Sequence, residues 1–247
     1  VKNNILVIIP ARMGSSRFPG KPMFNINGIP MIEHVYNNVT KKNRYQTYVA
    51  TCDEEIYNHI ESINGNAIYT SSSHQRASDR CAEALLKIEK NKKKSFDIIV
   101  MVQGDEPMVN EEMINESSGP LLDDKSILVS NLYSEIKSKE ELEDSNCIKV
   151  VHDNNYNALY FSRSPIPFQK GNLFNKPKKQ VCVISFQRDF LIKYINLNET
   201  PLEISESVDM MRVLEHGYKV KLIKTSHESF AVDTKNDIKK VENYLKI

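Results

Sequence analysis

The first half of the chain alternates apolar runs with segments of helical periodicity. Ile5–Ile9 is an unbroken aliphatic run, which is typical of a strand covered on both faces. Apolar residues then recur at helical spacing over 31–39, and this alternation predicts an α/β fold with a mostly parallel sheet. Further helices are predicted over 54–63 and 78–90, and further strands over 48–51, 67–70 and 98–102.

The second half has a less regular pattern. Strands are predicted over 127–133, 147–152, 158–162 and 178–186, and a final helix over 238–245. A turn at 165–167 and a stretch rich in Lys, Asn and Gly over 170–179 indicate loops. A chain of 247 residues is long enough for one large domain or two small ones, and one domain, with halves 1–110 and 111–247, is the simpler interpretation.

A cationic loop follows the first strand. The segment 10–22 contains Pro, Gly and Ser together with three cations, Arg12, Arg17 and Lys21. In open α/β sheets ligands bind at the carboxyl ends of strands, and a loop that offers backbone N–H groups and fixed cations suits a polyphosphate. The loop matches neither common glycine-rich phosphate pattern. We therefore expect a nucleoside triphosphate here, the alternative being that the cations are solvated surface residues.

Two aspartates are candidate metal ligands. Asp105 lies in the Gln-Gly-Asp-Glu-Pro segment 103–107, directly after a predicted strand, and Asp233 follows the apolar residues 230–232. Mg²⁺ prefers one or two carboxylates together with phosphate oxygens and water. The pair and a triphosphate would therefore form a complete ligand set. The alternative is a turn or helix-capping role, which the position of Asp233 before the last predicted helix also fits.

Charge and composition narrow the class of protein. The net charge is +1, from 33 basic and 32 acidic residues, so we expect no nucleic-acid or membrane partner. No stretch reaches the roughly 18 apolar residues of a membrane span, and we expect a cytoplasmic protein. The cysteines are scattered without metal-binding or disulfide spacing and are expected to be reduced core residues: Cys52, Cys81, Cys147 and Cys182.

Three motifs carry a family resemblance. The segments 10–22, 102–107 and 160–167, the last reading Tyr-Phe-Ser-Arg-Ser-Pro-Ile-Pro, together resemble the CMP-KDO synthetases, the 3-deoxy-manno-octulosonate cytidylyltransferases. The likeness continues through 212–217 and 232–234. It implies a Rossmann-like nucleotidyltransferase fold with a mostly parallel central sheet and helices on both faces. It also implies CTP and Mg²⁺, an acidic eight-carbon sugar as acceptor, release of pyrophosphate, and a homodimer.

The resemblance also assigns roles to residues. It places Arg12 and Lys21 at the triphosphate with Arg17 nearby, makes Arg12, Lys21 and Asp105 catalytic, and gives the metal to Asp105 and Asp233. The remaining nucleotide contacts would come from Ala11, Ala50, Thr51, Arg80 and Gln103. The acceptor contacts would come from Arg163, which suits a planar carboxylate, and from Gln180 and Asp209.

The departures from the family pattern concentrate in the acceptor half. The family's His-x-Gly-x-Tyr-x-Tyr-Arg strand aligns with 180–187, where Gln180, Ile184 and Phe186 replace the His and both Tyr residues. A Glu-Gln pair becomes 209–210, Asp-Met, and Ser-Gly-Thr-Glu/Asp-Arg becomes 76–80, Arg-Ala-Ser-Asp-Arg. Sugar hydroxyls would lose partners at such positions, unless a shifted register brings Ser185 or Gln187 into the pocket.

Four hypotheses about function remain open at this point. The first is cytidylyl transfer to KDO or a close analogue, and the second is cytidylyl transfer to another acid, such as a different ulosonic acid or a small phosphonate. The third is a non-catalytic nucleotide-binding protein, against which four intact residues argue: Arg12, Lys21, Asp105 and Asp233. The fourth is a nucleotide-sugar glycosyltransferase, which would share the architecture, since fold alone does not decide function.

Overall fold

The computed structural model describes residues 4–14, 18–170, 176–232 and 234–245. The chain forms two compact units, the first made of Val1–Asn115 and Glu228–Ile247 and the second of Glu116–His227. The interpretation as a single domain with halves 1–110 and 111–247 stays a prediction.

The first unit contains a parallel sheet with helices between its strands. β1 pairs in parallel with both β4 and β6, and β4 pairs in parallel with β5. Every residue of β1 and β6 is buried, because the crossover helices cover such a sheet on both faces. The elements are β1 (Ile5–Ala11), β2 (Asn25–Ile26), β3 (Ile29–Pro30), α1 (Met31–Thr40), β4 (Gln46–Thr51), α2 (Glu54–Ser62), β5 (Ala67–Tyr69), α3 (Ala77–Lys92), β6 (Ile98–Val102) and α4 (Glu111–Asp123), which runs past residue 115.

The register of this sheet aligns the carboxyl ends of its strands. Ala11 at the end of β1 pairs with Thr51 at the end of β4. After β6 the chain reaches Gly104, where a Cβ atom would lie 3.1 Å from the carbonyl oxygen of Pro10 and 3.4 Å from the Cβ of Ala11. Glycine lets the backbone after β6 approach the end of β1 this closely, whereas a side chain at this position would require the neighbouring atoms to shift. The loops that follow β1, β4 and β6 therefore meet at one edge.

The second unit has a mixed sheet. β7 and β11 are parallel, β10 runs antiparallel to both β7 and β8, and β8 is antiparallel to β9. The pairing of β10 with β7 shifts between Val181 and Ile184, which is a β-bulge. The elements are β7 (Val129–Glu135), α5 (Lys139–Glu143), β8 (Lys149–His152), β9 (Ala158–Ser162), β10 (Lys178–Gln187), α6 (Arg188–Tyr194), α7 (Pro201–Glu206), α8 (Asp209–Glu215) and β11 (Lys221–Lys224). The last helix, α9 (Lys235–Leu245), belongs to the first unit.

These observations confirm the predicted α/β fold with a mostly parallel central sheet and flanking helices. The predicted strands 98–102 and 158–162 have the bounds of β6 and β9. The expectation that all four cysteines are core residues is wrong: all are free thiols, but only Cys81 is buried, while Cys52, Cys147 and Cys182 are half-buried. Within the described ranges, no helix combines the length and apolar character that crossing a membrane requires.

Candidate active site

The cationic loop is attached to the first unit by backbone hydrogen bonds and one buried ring. Gly20, in a left-handed conformation with φ of 74°, donates its N–H to the carbonyl oxygen of Met13 at 3.0 Å. A single 3-10 turn, Lys21–Met23, follows. Phe18 is 5% exposed and packs in a cluster with Ile26, Met31, Met108 and Val232 among others. The loop is therefore held at both ends of its described part.

Lys21 and Asp105 are in contact. The Nζ atom of Lys21 lies 2.6 Å from Oδ2 of Asp105, and both side chains are mostly buried, with exposures of 11% and 22%. Val232 donates its N–H to the carbonyl oxygen of Asp105 at 2.9 Å. Glu106, which is buried, accepts a hydrogen bond from the hydroxyl of Ser229. The fold thus brings together the predicted triphosphate cation and a predicted metal ligand.

Arg12 is exposed and faces the loop that follows β5. Its Nη1 atom lies 3.4 Å from the carbonyl oxygen of His74 and 3.4 Å from Oε1 of Gln75. The ring of His74 in turn contacts Glu83. Burial by itself would raise the pKa of Glu83, but hydrogen bonds from Lys87, the Ser71 N–H and His74 lower this pKa to about 2. A carboxylate charged at all ordinary pH values therefore orders the loop that Arg12 contacts.

The predicted nucleotide-base residues lie at the ends of the strands and on α3. Ala50 and Thr51 are fully buried in β4, and Gln103 directly follows β6 and is half-buried. Arg80 is 2% exposed, and its Nη1 donates to the hydroxyl of Thr70. Its Nη2 is buried and makes no hydrogen bond within the described part of the chain. An unsatisfied buried guanidinium nitrogen is uncommon and calls for an explanation, such as a bound water or a ligand.

Arg17 and Asp233, both predicted site residues, lie outside the described residues. Among the residues that the structure does describe, no cluster of three or more His, Cys, Asp or Glu could hold a metal ion. The predicted magnesium pair of Asp105 and Asp233 thus stays a prediction.

In the second unit, Arg163 is held by backbone carbonyl groups. Its Nε donates to the oxygen of Glu206 at 2.6 Å, its Nη1 to that of Ser145 at 2.8 Å, and its Nη2 to that of Ser207 at 3.4 Å. The carboxylate of Glu206 accepts the backbone N–H of Arg163 at 2.7 Å. The arrangement fixes the guanidinium while each terminal nitrogen keeps a second N–H for a ligand.

Gln180 and Asp209 are the other predicted acceptor residues. Gln180 is half-buried, and its side-chain amide donates to Oδ1 of the fully buried Asn131. Asp209 begins α8, and its carbonyl oxygen accepts the hydroxyl of Tyr194 at 3.1 Å. Gln180 and Asp209 thus have partners within the second unit, and their role at the acceptor stays a prediction.

Comparison with known proteins identifies the family. Residues 6–225 match the model of the cytidylyltransferases. The chain belongs to the cytidylyltransferase family. It is 41% identical to the 3-deoxy-manno-octulosonate cytidylyltransferase of Fusobacterium nucleatum, with 98% of this chain and 96% of that protein covered. It is 40% identical to the enzyme of the same name from Geobacter metallireducens, with 98% and 97% covered.

A solved structure gives the same answer for the fold. CMP:2-keto-3-deoxy-manno-octonic acid synthetase, solved in complex with CTP, superposes with a TM-score of 0.87 at 32% identity and covers 99% of each chain. The predicted Rossmann-like nucleotidyltransferase fold is therefore confirmed. The family and this likeness also confirm that the protein is a nucleotidyltransferase enzyme.

Several departures of this cytidylyltransferase from the expected acceptor strand have a structural explanation. Ile184 and Phe186, which stand where the family pattern has Tyr, are 2% and 0% exposed and belong to the core. Ser185 is buried and hydrogen-bonds to the hydroxyl of Ser117 at 2.8 Å, and Gln187 donates to the carbonyl oxygen of Leu121 at 2.8 Å. Ser185 and Gln187 thus have partners within the second unit, and the possibility that a shifted register offers either of them to the acceptor stays a prediction.

One contact of the cationic loop was missed by the sequence analysis. The carboxylate of Asp53, between β4 and α2, accepts the N–H of Met13 at 2.8 Å. The only signal in the sequence was an acid at a strand-to-helix junction, which is typical of an ordinary helix cap. A contact between residues 40 positions apart has no local signature.

Proposed function

We propose that this cytidylyltransferase couples CMP from CTP to 3-deoxy-manno-octulosonate (KDO), or a closely related acidic sugar, and releases pyrophosphate. The observation that carries the proposal is the similarity to two 3-deoxy-manno-octulosonate cytidylyltransferases, which extends over 98% of the chain and therefore includes both halves. Arg12, Lys21 and Asp105 supply the charges that the chemistry needs.

The acceptor hydroxyl would attack the α-phosphate of CTP in line and lose its proton to water, while the bond from the α-phosphorus to the bridging oxygen breaks and pyrophosphate leaves. Lys21 and Arg12 are the cations that would stabilise the charge that passes to the leaving group, and positioning and electrostatics would dominate the rate. No dedicated histidine base is required. The side chain of each of the six histidines contacts another residue: His34, His59, His74, His152, His216 and His227.

Arg80 is proposed to recognise the nucleotide base. Its guanidinium is almost completely buried, one terminal nitrogen is held by Thr70, and the other has no acceptor among the described residues. Leaving a buried charged donor unsatisfied is unfavourable, so a carbonyl oxygen or ring nitrogen on a bound pyrimidine would remove this cost. Ala50, Thr51 and Gln103 lie at neighbouring strand ends and are proposed to complete this side of the site.

Magnesium fits the donor set, and we include it in the proposal. The carboxylate of Asp105 is partly accessible and already binds a cation, the ammonium of Lys21. The N–H of Val232, the residue before Asp233 in the sequence, is bonded to the carbonyl oxygen of Asp105. Asp105 and Asp233 would hold the ion. When bound, Mg²⁺ would supply neutralisation of the phosphate charge and Lewis-acid polarisation of the oxygens that it contacts.

A second candidate function is cytidylyl transfer to a different acidic acceptor. It is favoured by the core positions of Ile184 and Phe186, which offer no hydroxyl where the family pattern has two tyrosines. Arg163 would serve either acceptor, because a fixed guanidinium pairs with any planar carboxylate. The two candidates differ in the acceptor hydroxyls that must be satisfied, not in the nucleotide chemistry.

The test is pyrophosphate release from CTP and Mg²⁺ with a panel of acceptors. The panel contains KDO, its 8-amino analogue, other ulosonic acids, small phosphonates and a reaction without acceptor. We expect acceptor-dependent release with KDO or its close analogue. Release only with another acid would support the second candidate, and the absence of release with every acceptor would contradict both. We also propose that the protein is a homodimer and lies in the cytoplasm.

A further inference from the structure

Asp53 occupies the N-cap of α2 but does not cap the helix. Its backbone is extended, with φ of −103° and ψ of 125°, and its side chain makes no capping hydrogen bond. An aspartate at this position normally accepts an N–H group from the first turn. The negative charge that favours the amino end of α2 is already supplied by Glu54 and Glu55 in its first turn. The carboxylate of Asp53 therefore does not have the capping role that is usual at this position.

That carboxylate instead contacts the loop after β1. Oδ2 of Asp53 accepts the N–H of Met13 at 2.8 Å, and the thiol of Cys52 lies 3.5 Å from the same oxygen. The N–H of Asp53 donates to the hydroxyl of Thr51 at 3.1 Å, and Thr51 is fully buried. Because β1 and β4 pair with Ala11 opposite Thr51, the residues after the two strands are neighbours. The register between β1 and β4 thus places the Asp53 carboxylate near Met13, and the hydrogen bond to Thr51 fixes the Asp53 backbone.

Met13 connects this contact to both described cations of the loop. The N–H of Met13 belongs to the same peptide unit as the carbonyl group of Arg12. The carbonyl oxygen of Met13 accepts the N–H of Gly20, the residue before Lys21, at 3.0 Å. A shift of Met13 would therefore displace the backbone of Arg12 directly and the backbone of Lys21 through Gly20.

The negative charge of Asp53 limits the roles that this residue can have beside the loop. A carboxylate beside a loop that binds a triphosphate repels the ligand, so its charge alone would weaken binding. The N–H of Met13 is also occupied and is not offered to a phosphate. The contribution of Asp53 must then come from order in the loop, since a site fixed in advance loses less entropy when its ligand binds.

We propose that Asp53 is a positioning residue, which holds Arg12 and Lys21 in place for the triphosphate through its hydrogen bond to the Met13 N–H. The proposal rests on the proposed function, because it takes the nucleoside triphosphate as the ligand of the loop. Asp53 itself is not proposed to touch CTP or the metal.

Three variants separate position from charge. Asp53→Ala removes the acceptor and should lower kcat/KM for CTP about 10- to 100-fold, the usual range for a lost hydrogen bond to a charged group. Asp53→Asn keeps an oxygen that can accept the hydrogen bond but removes the charge, so it should retain most of the kcat/KM that Asp53→Ala loses. The matched control, Glu54→Gln, removes one negative charge from the same exposed helix end and should behave as wild type.

A second readout does not depend on activity. Hydrogen–deuterium exchange of peptides covering residues 12–14 should be faster in Asp53→Ala than in wild type and Asp53→Asn, while peptides from β6 should exchange equally in all. Unchanged exchange in Asp53→Ala would overturn the proposal, as would equal losses of CTP affinity in the Ala and Asn variants. Tighter CTP binding by Asp53→Ala would also overturn it.

The two readouts distinguish failure of this inference from failure of the proposed function. If the wild-type protein binds no CTP, the proposed function fails, and the positioning role for a triphosphate fails with it. If CTP binds and the exchange of residues 12–14 does not respond to Asp53→Ala, only the role of Asp53 is wrong.

Discussion

At the residue scale, the contact between Lys21 and Asp105 links two proposed roles that use different ligands. The ammonium is proposed for the triphosphate and the carboxylate for a metal ion, yet the two atoms lie 2.6 Å apart. A cation that contacts a carboxylate competes with any other cation for it, and at this distance in a partly buried place the interaction is substantial. Metal binding to the free protein should therefore be opposed by Lys21.

The variant Lys21→Met tests this competition. Without the ammonium, the affinity of the nucleotide-free protein for Mn²⁺, a spectroscopic substitute for Mg²⁺, should rise about tenfold, whereas turnover with CTP should fall by about 100-fold or more. Electron paramagnetic resonance of free Mn²⁺ measures the affinity. The control is Lys42→Met, since Lys42 pairs with the exposed Glu112. Unchanged or weaker Mn²⁺ binding by Lys21→Met would contradict the competition.

At the element scale, long and uniform patterns were predictable and short elements were not. β6 and β9 were predicted to the residue, and α3 within two residues at each end. The hairpin of β2 and β3 and the short helices α5 to α8 were not predicted, because two-residue strands and helices of five to seven residues contain too little periodicity. Strand β11 and helix α4, which contains Gly119 and Pro120, were not predicted either. Their positions depend on tertiary contacts instead.

The helices α7 and α8 illustrate such a contact. Oε2 and Oε1 of Glu203 lie 2.7 and 2.8 Å from Nε and Nη2 of Arg212, and both side chains are almost completely buried. Arg212 also lies over the ring of Tyr194. Nothing in the local sequence indicated that these two charges pair, because each alone resembles an ordinary exposed residue of an amphipathic helix.

Breaking this pair should be strongly destabilising. Arg212→Met leaves the carboxylate of Glu203 buried and unpaired, and should lower the free energy of unfolding by about 3–5 kcal/mol. The double variant Glu203→Leu with Arg212→Met removes both charges and should recover a large part of the loss. Urea denaturation measures all three proteins. A double variant less stable than Arg212→Met would show that the ion pair is not the reason.

At the scale of the whole molecule, one strongly acidic carboxylate lies in each unit. Glu83 belongs to the first unit and Glu135 to the second, and the pKa of each is about 2 against an ordinary value of 4.5. For Glu135, the cause is hydrogen bonding by Lys224 and then Lys176. A lowered pKa in the folded state contributes stability that is fully present above about pH 4.5 and is lost as the pH falls through about 2.

The free energy of unfolding should therefore decrease between pH 4.5 and 2. Substituting both glutamates with glutamine removes two groups that bind protons more weakly when folded, and should make this decrease shallower. Chemical denaturation at a series of pH values, at constant ionic strength, measures the slope. An equal slope in the wild type and in the Glu83→Gln/Glu135→Gln variant would contradict the assigned pKa values.

The residues of the candidate site could be predicted from the sequence only where they belong to recognisable motifs. Strand ends and the resemblance located Arg12, Lys21 and Asp105, and the fold brings the last two into contact. The proposed role of Asp53 was not predictable, because it depends on the register between two strands and on a carboxylate that bonds to Met13 instead of capping its own helix. Sequence reasoning therefore predicted charged residues of the candidate site but not Asp53, which we propose holds two of them in position.

The most direct test of the account is pyrophosphate release by the purified protein from CTP and Mg²⁺ in the presence of KDO, compared with the Asp105→Asn variant. We expect release that requires KDO or its close analogue, and almost no release from the variant, although the variant remains folded. Equal release by Asp105→Asn, or no release by the wild type with any KDO-type acceptor, would contradict the central claim.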